Sequence, residues 1–527
     1  MRAARLASVL LLVATAAAPA LAPSPARADV IGRAFAAAGD PPGGAAAPPA
    51  AAPDPTDSPG LAAWAGEAHA TSLPELLQVA IRTVPALQSA RLDVEIAEAR
   101  VQATWGRNDW LIGGKLTGSR TTSARQGTTT TIGGSADASR LLPTGGTLAL
   151  HADTSYSNTA DAFTPLLDGT TWSANVDVAL TQPLLRGRGR ALFDAAEARA
   201  TLARDAAALG RRLAAIQTVQ AAITAYWELV LAERTVAITQ SSLELARERL
   251  RVTRIGAEGG KTPRSEIPAV LQIIATREED VLAGELSVLD RSIAVRRAVG
   301  LPIGAGALGL RVPADLEPRD EPLALAALVE RAYAASPELA QLAKQDASAT
   351  IDVEVAENGL LPQLDAALSL GPSGSAATFA DAWTQVGKLS GVAISGSLTF
   401  SRGLAQDDVR GRVREQRATR QRLAVTAVDV RAQLAQGVAR AVAQVEVARR
   451  RLLLSQRAIE LANENIKIET DRFNLGKSTN FDVLNRLEDL RQAELRRTQA
   501  LIDARKAEVV VQALTGELLP AYGIAVD

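Results

Sequence analysis

The most chemically suggestive residues in this 527-residue sequence are two triplets, Gly260-Lys261-Thr262 and Gly476-Lys477-Ser478. A lysine and a hydroxyl following a glycine can cradle a phosphate and its magnesium ion if another glycine, five positions earlier, opens the loop. Those earlier places hold Ile255 and Asp471, so the phosphate-binding reading fails. The two histidines, His69 and His151, have no second histidine nearby for a metal cluster. The sequence contains no cysteine, which excludes thiol nucleophiles, thiolate metal sites and disulfide frameworks. Carboxylates are plentiful but interleaved with arginine, as in Glu244, Arg247, Glu248 and Arg251, a mixture that makes a solvated helix face. No set of nucleophile, base and oxyanion donors can be assembled. The expectation is a protein that is not an enzyme, with no cofactor and no resident metal.

What positions these residues is therefore the more informative question. Lys and Arg total 57 against 58 Asp and Glu, so nothing in the bulk charge recruits nucleic acid. With 6 Trp, 4 Tyr and 7 Phe among abundant Ala, Leu, Arg, Glu and Gln, the composition points to long helices.

Residues 1–28 read as an export signal. Arg2 and Arg5 precede an apolar run from Leu6 to Ala18, and Ala26-Arg27-Ala28 supplies small residues for cleavage. The run is short of the roughly 20 apolar residues a spanning helix needs. Removing the signal deletes three Arg and no acid, leaving 54 − 58 = −4. Residues 29–71, rich in Ala, Pro and Gly, are expected to form a flexible leader.

The rest of the chain repeats itself. Thr83-Val84-Pro85-Ala86-Leu87 aligns with Ala335-Ser336-Pro337-Glu338-Leu339 at an offset of 252, whereas Gly260-Lys261-Thr262 aligns with Gly476-Lys477-Ser478 at 216. The difference, 252 − 216 = 36, locates an insertion of about that size in the first copy. The copies span 72–302, with inserted strand region about 126–161, and 322–519; a linker (303–321) joins them and a tail (520–527) follows.

Each copy reads as helix, helix, strand region, very long helix, tight turn, long helix. Leu202, Ala206, Leu209, Leu213, Ile216, Val219, Ile223, Trp227 and Val230 recur at steps of three and four, as do Leu423, Ala427, Val430, Leu434, Val438, Ala441, Val445, Ala448 and Leu452. From about Arg190 to Gly256 there is no proline, which predicts a helix roughly 100 Å long. Coiled-coil packing of such helices is expected. The strand segments argue against a purely fibrous coiled coil. Trp172, Ala174, Val176, Val178 and Leu180 alternate with polar or small residues, and Val392, Ile394, Leu398 and Phe400 do the same. Weaker alternation covers Trp110 to Ser119 and Leu364 to Gly371. These strands suit a transmembrane barrel as well as a soluble sheet, and their place between overlong helices in an exported chain favours the barrel.

LTQPLLRGRGR (Leu180 to Arg190), AYWELVLAERTVAITQSSLELARERLR (Ala225 to Arg251), LLPQLDAALSLG (Leu360 to Gly371) and DRFNLGKSTNFDVLN (Asp471 to Asn485) give the sequence a specific resemblance to the TolC-type outer-membrane efflux channel family. The resemblance covers about 72–519. It implies an α+β membrane protein of two tandem structural repeats, with a transmembrane β-barrel completed by trimerisation above a long antiparallel α-helical, coiled-coil periplasmic tunnel. It also implies a homotrimer in which each chain gives four strands to a 12-stranded barrel, and partnership with outer-membrane lipid, a periplasmic adaptor and an inner-membrane transporter. The function expected is that of a passive outer-membrane exit duct of a tripartite efflux or type I secretion system. A periplasmic adaptor or coiled-coil scaffold is the alternative; the paired amphipathic strands at equivalent places in both copies weigh against it.

By the same resemblance the turns Gly259-Gly260-Lys261-Thr262 and Leu475-Gly476-Lys477 form the adaptor-docking tip. Glu266 and Asp482 take acidic positions of the periplasmic gate, Phe473 an aromatic one, and Ser478 the place of a basic residue, which is a departure. A purely structural reading of both acids is that they lie near helix N-termini, where the dipole favours them. The insertion is expected either to add barrel strands or to project as an external hairpin dispensable for folding.

Overall fold

The computed structural model describes residues 69–123, 127–160, 169–260, 263–304, 308–313 and 323–525, all within one compact unit, Pro59–Asp527. The expected signal, nearly all of the expected leader, and Lys261 and Thr262 lie outside these residues.

Both repeats open on the same device. Helix α1 (Leu73–Thr83) stops where Val84 turns extended before Pro85, and Pro85 begins α2 (Pro85–Trp105). Proline clashes with a preceding helical residue but suits a first turn, so the chain must break and restart there. In the second repeat α5 (Leu325–Ala335) breaks at Ser336 and Pro337 begins α6 (Pro337–Asn358), with the Ser336 hydroxyl accepting from the Leu339 amide at 3.2 Å.

The long helices follow the sequence closely. α3 (Arg190–Glu258) has 69 residues and α8 (Asp407–Asn474) has 68, each about 100 Å at 1.5 Å rise per residue. α3 packs against α4 (Glu266–Val299), α8 against α9 (Asn480–Leu514), and α3 also against α9. The stripes lie inward at mid-helix, where Val219, Ile223, Val230, Val438 and Val445 are all buried. Each buried side chain of this size contributes about 1.5–3 kcal/mol. Towards the sheet the α8 stripe comes out of cover, with Leu423 and Ala427 only half-buried and Val425 and Val428 exposed.

Two short pairings fix the middle of the molecule. β1 (His69–Ala70) runs parallel to β6 (Leu310–Arg311), so the end of the expected leader and the middle of the expected linker are paired strands. Leu310 and Val312 are buried in the main core, beside Leu76, Leu77, Val219, Ile223, Leu229, Val295 and Val299. That core is completed by Ile502 and Val509 of α9 and by Leu518 and Leu519 of α10 (Leu518–Ala521). A smaller core joins Leu328, Ala332, Val438, Ala441 and Val511 in the second repeat.

The strand count departs from the sequence expectation. One antiparallel sheet holds six strands, in the order β2 (Leu111–Ser123), β3 (Gly127–Leu141), β4 (Thr147–Ala160), β5 (Gly169–Pro183), β7 (Gln363–Ala376), β8 (Val392–Ser401). The four expected strands are β2, β5, β7 and β8; the insertion supplies β3 and β4 between the first two. Four strands per chain is therefore corrected to six in this sheet. The physical reason is hydrogen bonding: β3 pairs along its whole length with β2, from Leu111↔Ser139 to Ser123↔Gly127, and with β4, from Thr128↔Ala160 to Leu141↔Thr147. An added pair leaves the direction of β5 unchanged, so the chain still returns to the helical end.

A nine-residue helix between β7 and β8, α7 (Phe379–Gly387), was not expected from the sequence. Its Ala382 and Val386 cover Ala174, while Phe379 meets Trp172 edge-on at 5.3 Å. Among the described residues no helix is long and apolar enough to cross a membrane.

Candidate functional sites at the helical tip and on the sheet

The tip of the helices is built by two reversals. Gly260 and Gly476 adopt left-handed φ of 68° and 72°, which a side chain disfavours, and a Cβ added to either would meet no atom within 4 Å. Gly259, Gly260, Leu475, Gly476 and Lys477 are all exposed, Leu475 to 70%. The expected docking residues that can be placed thus share one unobstructed end.

The two acids expected at the gate sit in different surroundings. At the start of α9 the Thr479 hydroxyl accepts from the Asp482 amide at 3.3 Å, and the Asp482 carboxylate accepts from the Thr479 amide at 3.0 Å, a reciprocal cap. The Ser478 hydroxyl donates to the same carboxylate at 3.3 Å. Hydrogen bonds from the Thr479 hydroxyl and amide hold the Asp482 carboxyl below the ordinary range. Asp482 and Ser478 are together, but bound to their own helix end.

Glu266 opens α4 without such a cap and turns towards α3. Its partner there is Arg249, which lies within the charged stretch from Glu244 to Arg251. Burial pulls the Arg249 guanidinium below its usual range, opposed by the Glu266 charge. Glu266 Oε2 and Arg249 Nη2 are both buried without a hydrogen-bond partner, so charge alone links them. Arg249 Nε donates to Asn480 Oδ1, and the guanidinium lies over the Phe473 ring. Asn480 is 1% exposed, and its amide donates to the Thr253 hydroxyl at 2.6 Å. One arginine near the end of α3 therefore contacts the beginning of α9 and the end of α8 and is coupled by charge to the beginning of α4, so that it links both hairpins. Its only sequence signal was position: Arg249 and Thr253 stand one turn apart, facing Asn480 where α9 begins.

Two turns further from the tip, a charge network joins α4 to α9. Arg277 binds Glu488, Arg491 binds Glu488 at 2.7 Å, and Asp280 lies 3.3 Å from Arg277. Burial would raise the Glu488 carboxyl, but hydrogen bonds from Arg491, Gln492 and Arg277 outweigh it and hold it down at about 2.

At the other end, the sheet separates its faces along its middle rows, with Arg120, Arg140 and Asn158 nearer the strand ends on the otherwise apolar side. Ile112, Ala138, Leu150, Val178, Leu370 and Ile394 form one apolar row across all six strands, and the next row on the opposite face begins Gly113, Asp137, His151, Asp177. On the polar face the Ser155 and Ser173 hydroxyls are 2.6 Å apart, Asn175 donates to Asp153 at 3.2 Å, and Ser369 meets Ser395 at 2.7 Å. Of the two histidines, His69 is in β1 and His151 is held between Asp137 and Asp153. Among the described residues no group of three or more His, Cys, Asp or Glu could hold a metal ion.

With that geometry in place, the comparisons with known proteins are consistent with each other. Residues 328–517 match the family model of outer membrane efflux proteins. The fold is shared with the CmeC outer membrane channel of Campylobacter jejuni, at 14% identity and TM-score 0.62 over 85% of this chain and 86% of that one. It is shared equally with the outer membrane protein VceC of Vibrio cholerae, at 15% identity and TM-score 0.62 over 86% and 97%, and with the open state of the MtrE outer membrane channel of Neisseria gonorrhoeae, at 16% and 0.60 over 85% and 89%. No curated protein sequence matches the chain. Residues 328–517 thus resemble outer membrane efflux proteins, and about 85% of the chain shares the fold of these outer-membrane channels.

Proposed function

We propose that the protein is the passive exit duct of a tripartite efflux or type I secretion system in the outer membrane of a Gram-negative-type cell. Three copies form the duct, an inner-membrane transporter supplies the cargo and energy, and a periplasmic adaptor joins the two. The observation that carries this reading is the sheet: one face bears an apolar row from edge to edge, Ile112 to Ile394, the other is polar, and β2 and β8 are open at its margins. An open edge in lipid leaves backbone groups unpaired at several kcal/mol each, and pairing with further copies removes that cost. The exposed Val425 and Val428 on α8 are further apolar surface for copies to cover.

At the opposite end, Gly259, Gly260, Leu475, Gly476 and Lys477, with Lys261 and Thr262 beside them in sequence, dock the adaptor. Glu266 and Phe473, joined through Arg249, hold the tunnel end shut, with Asp482 and Ser478 shaping the adjacent turn. Opening requires the two hairpins to part, and Arg249 is the side chain that spans them.

The test is extraction and mass. The protein should leave outer-membrane fractions with mild detergent and not with carbonate, and light scattering should give three chains per particle after subtracting detergent. A carbonate-extracted monomer would return it to the adaptor or scaffold class.

A further inference from the structure

We infer that the inserted strands are wall rather than ornament, so that three copies close an 18-stranded barrel, three sheets of six, instead of one of 12. This rests on the trimeric duct proposed above and goes beyond it in the architecture and width of the exit.

Phase is the first argument. Ile132, Ala136, Ala138, Leu148, Leu150, Ala152 and Tyr156 of β3 and β4 fall on the same face as Ile112, Leu116, Trp172, Val176 and Val178 of the flanking strands. Ser135, Asp137, Ser139, His151, Asp153, Ser155 and Ser157 fall on the other. A single-residue slip anywhere in the insertion would exchange the faces. A hairpin standing in water has no reason to keep this order over four strands.

Exposure is the second. Ile132 and Leu150 are 58% and 42% exposed, on the same face as the exposed Leu116, Ile394 and Leu398, a face that α7 covers only around Trp172, Ala174 and Val176. Large apolar side chains presented in a band across all six strands beside α7, against serines and carboxylates on the reverse, match lipid on one side and water on the other. Direction is the third. Because β3 and β4 enter as a pair, β2 and β8 still run oppositely, and the seam between neighbouring copies is antiparallel like every other junction in the sheet.

The consequence is size. With strands about 4.8 Å apart and tilted about 40°, 18 strands span a barrel about 36 Å across, against about 24 Å for 12. Barrels of that strand number leave an aqueous channel rather than a packed interior. The helices contributed per chain are unchanged, so the duct flares at its exit, and selection by size falls on the helical tip.

Because the sequence has no cysteine, single substitutions report cleanly. Ile132→Cys, Leu150→Cys, Ser135→Cys and Ser157→Cys are placed in intact outer membranes and treated with a membrane-impermeant maleimide. The serine positions should label at least 10-fold faster than the apolar ones, and electron microscopy of the trimer should show a barrel about 1.5 times as wide as a 12-stranded one. Comparable labelling at all four sites, or a three-fold particle with a narrow barrel, overturns the inference and leaves the trimeric duct standing. A particle without three-fold symmetry overturns both. A variant lacking residues 124–168 should narrow the barrel by about one third; an unchanged width would also overturn the inference, and if that variant does not fold, the four cysteines decide.

Discussion

The Arg249 guanidinium stands 4.2 Å from the centroid of the Phe473 ring, and those two residues belong to different hairpins and different repeats. Neither side chain can keep this position if the hairpins separate. The contact therefore has one geometry in the shut tip and none in an open one, which makes it the sharpest place to perturb the proposed gate.

Arg249→Ala should loosen the tip. It removes a partly desolvated cation–π contact of about 1–2 kcal/mol, the hydrogen bond to the buried Asn480 Oδ1 at about 1–3 kcal/mol, and the charge that faces Glu266. Planar-bilayer recordings should show a higher mean conductance with the trimer intact. Wild-type conductance would remove Arg249 from the gate.

Glu266 and Asp482 should part company when neutralised separately. In a trimer Glu266 makes a ring of three charges beside the tunnel end, so Glu266→Gln should lower cation preference, seen as a shifted reversal potential in a salt gradient. Asp482→Asn weakens the cap of α9 and should cause a small loss of thermal stability with no change in reversal potential. The reverse pattern would mean the roles are exchanged.

Gly476→Trp or Gly260→Trp should abolish efflux while trimers still assemble. The space around both is open, so the bulk meets no wall, and the left-handed φ costs about 1–2 kcal/mol for any side chain. Gly476→Ala carries the same backbone cost without the bulk and should retain most export. Equal loss in the Ala and Trp variants would assign the defect to folding.

The Glu488 network predicts an acid limb. Its carboxyl, held at about 2 in the fold, titrates near 4.5 when unfolded. Since the folded value is the lower one, the stabilisation is complete above about pH 5 and drains away as pH falls towards 2. Glu488→Gln should cost on the order of 2 kcal/mol at pH 7, after discounting for solvent screening, and flatten the loss of stability between pH 5 and 2. Denaturant titrations at several pH values would show it; parallel acid limbs in variant and wild type would count against the network.

Ile394→Arg and Ser395→Arg are neighbours on β8 with opposite faces. The first puts a charge on the apolar face, at about 2–4 kcal/mol if it lies near the bilayer centre, and should deplete trimer from the outer-membrane fraction. The second should be tolerated. Equal yields of both would contradict the assignment of faces.

Much of this architecture was legible in the sequence because it is periodic. The 69-residue α3 announced itself by apolar steps of three and four and by the lack of proline, and the repeat breaks at Pro85 and Pro337 by chain-breaking chemistry. What escaped notice had no period. β3 is Thr/Gly/Ser-rich, a composition shared by strands and exposed loops, and only its pairing with β2 distinguishes them. α7 is nine residues long, too short for a helical repeat to establish itself. Arg249 was invisible for a different reason. Its role depends on Asn480, 231 positions away, and no local pattern distinguishes it from Arg247 or Arg251, which pair with glutamates on the surface.

The main core takes Leu518 and Leu519 of α10 into the same cluster as Leu76 and Leu77 of α1. The two pairs are separated by most of the polypeptide, so a chain synthesised amino end first waits for α10 before its main core can close. Until then the apolar side chains of α1, α3 and β6 stand open, a state that chaperones bind and proteases cleave. A nascent molecule that stalls before residue 518 thus carries its own mark of incompleteness, by which quality control can discard it.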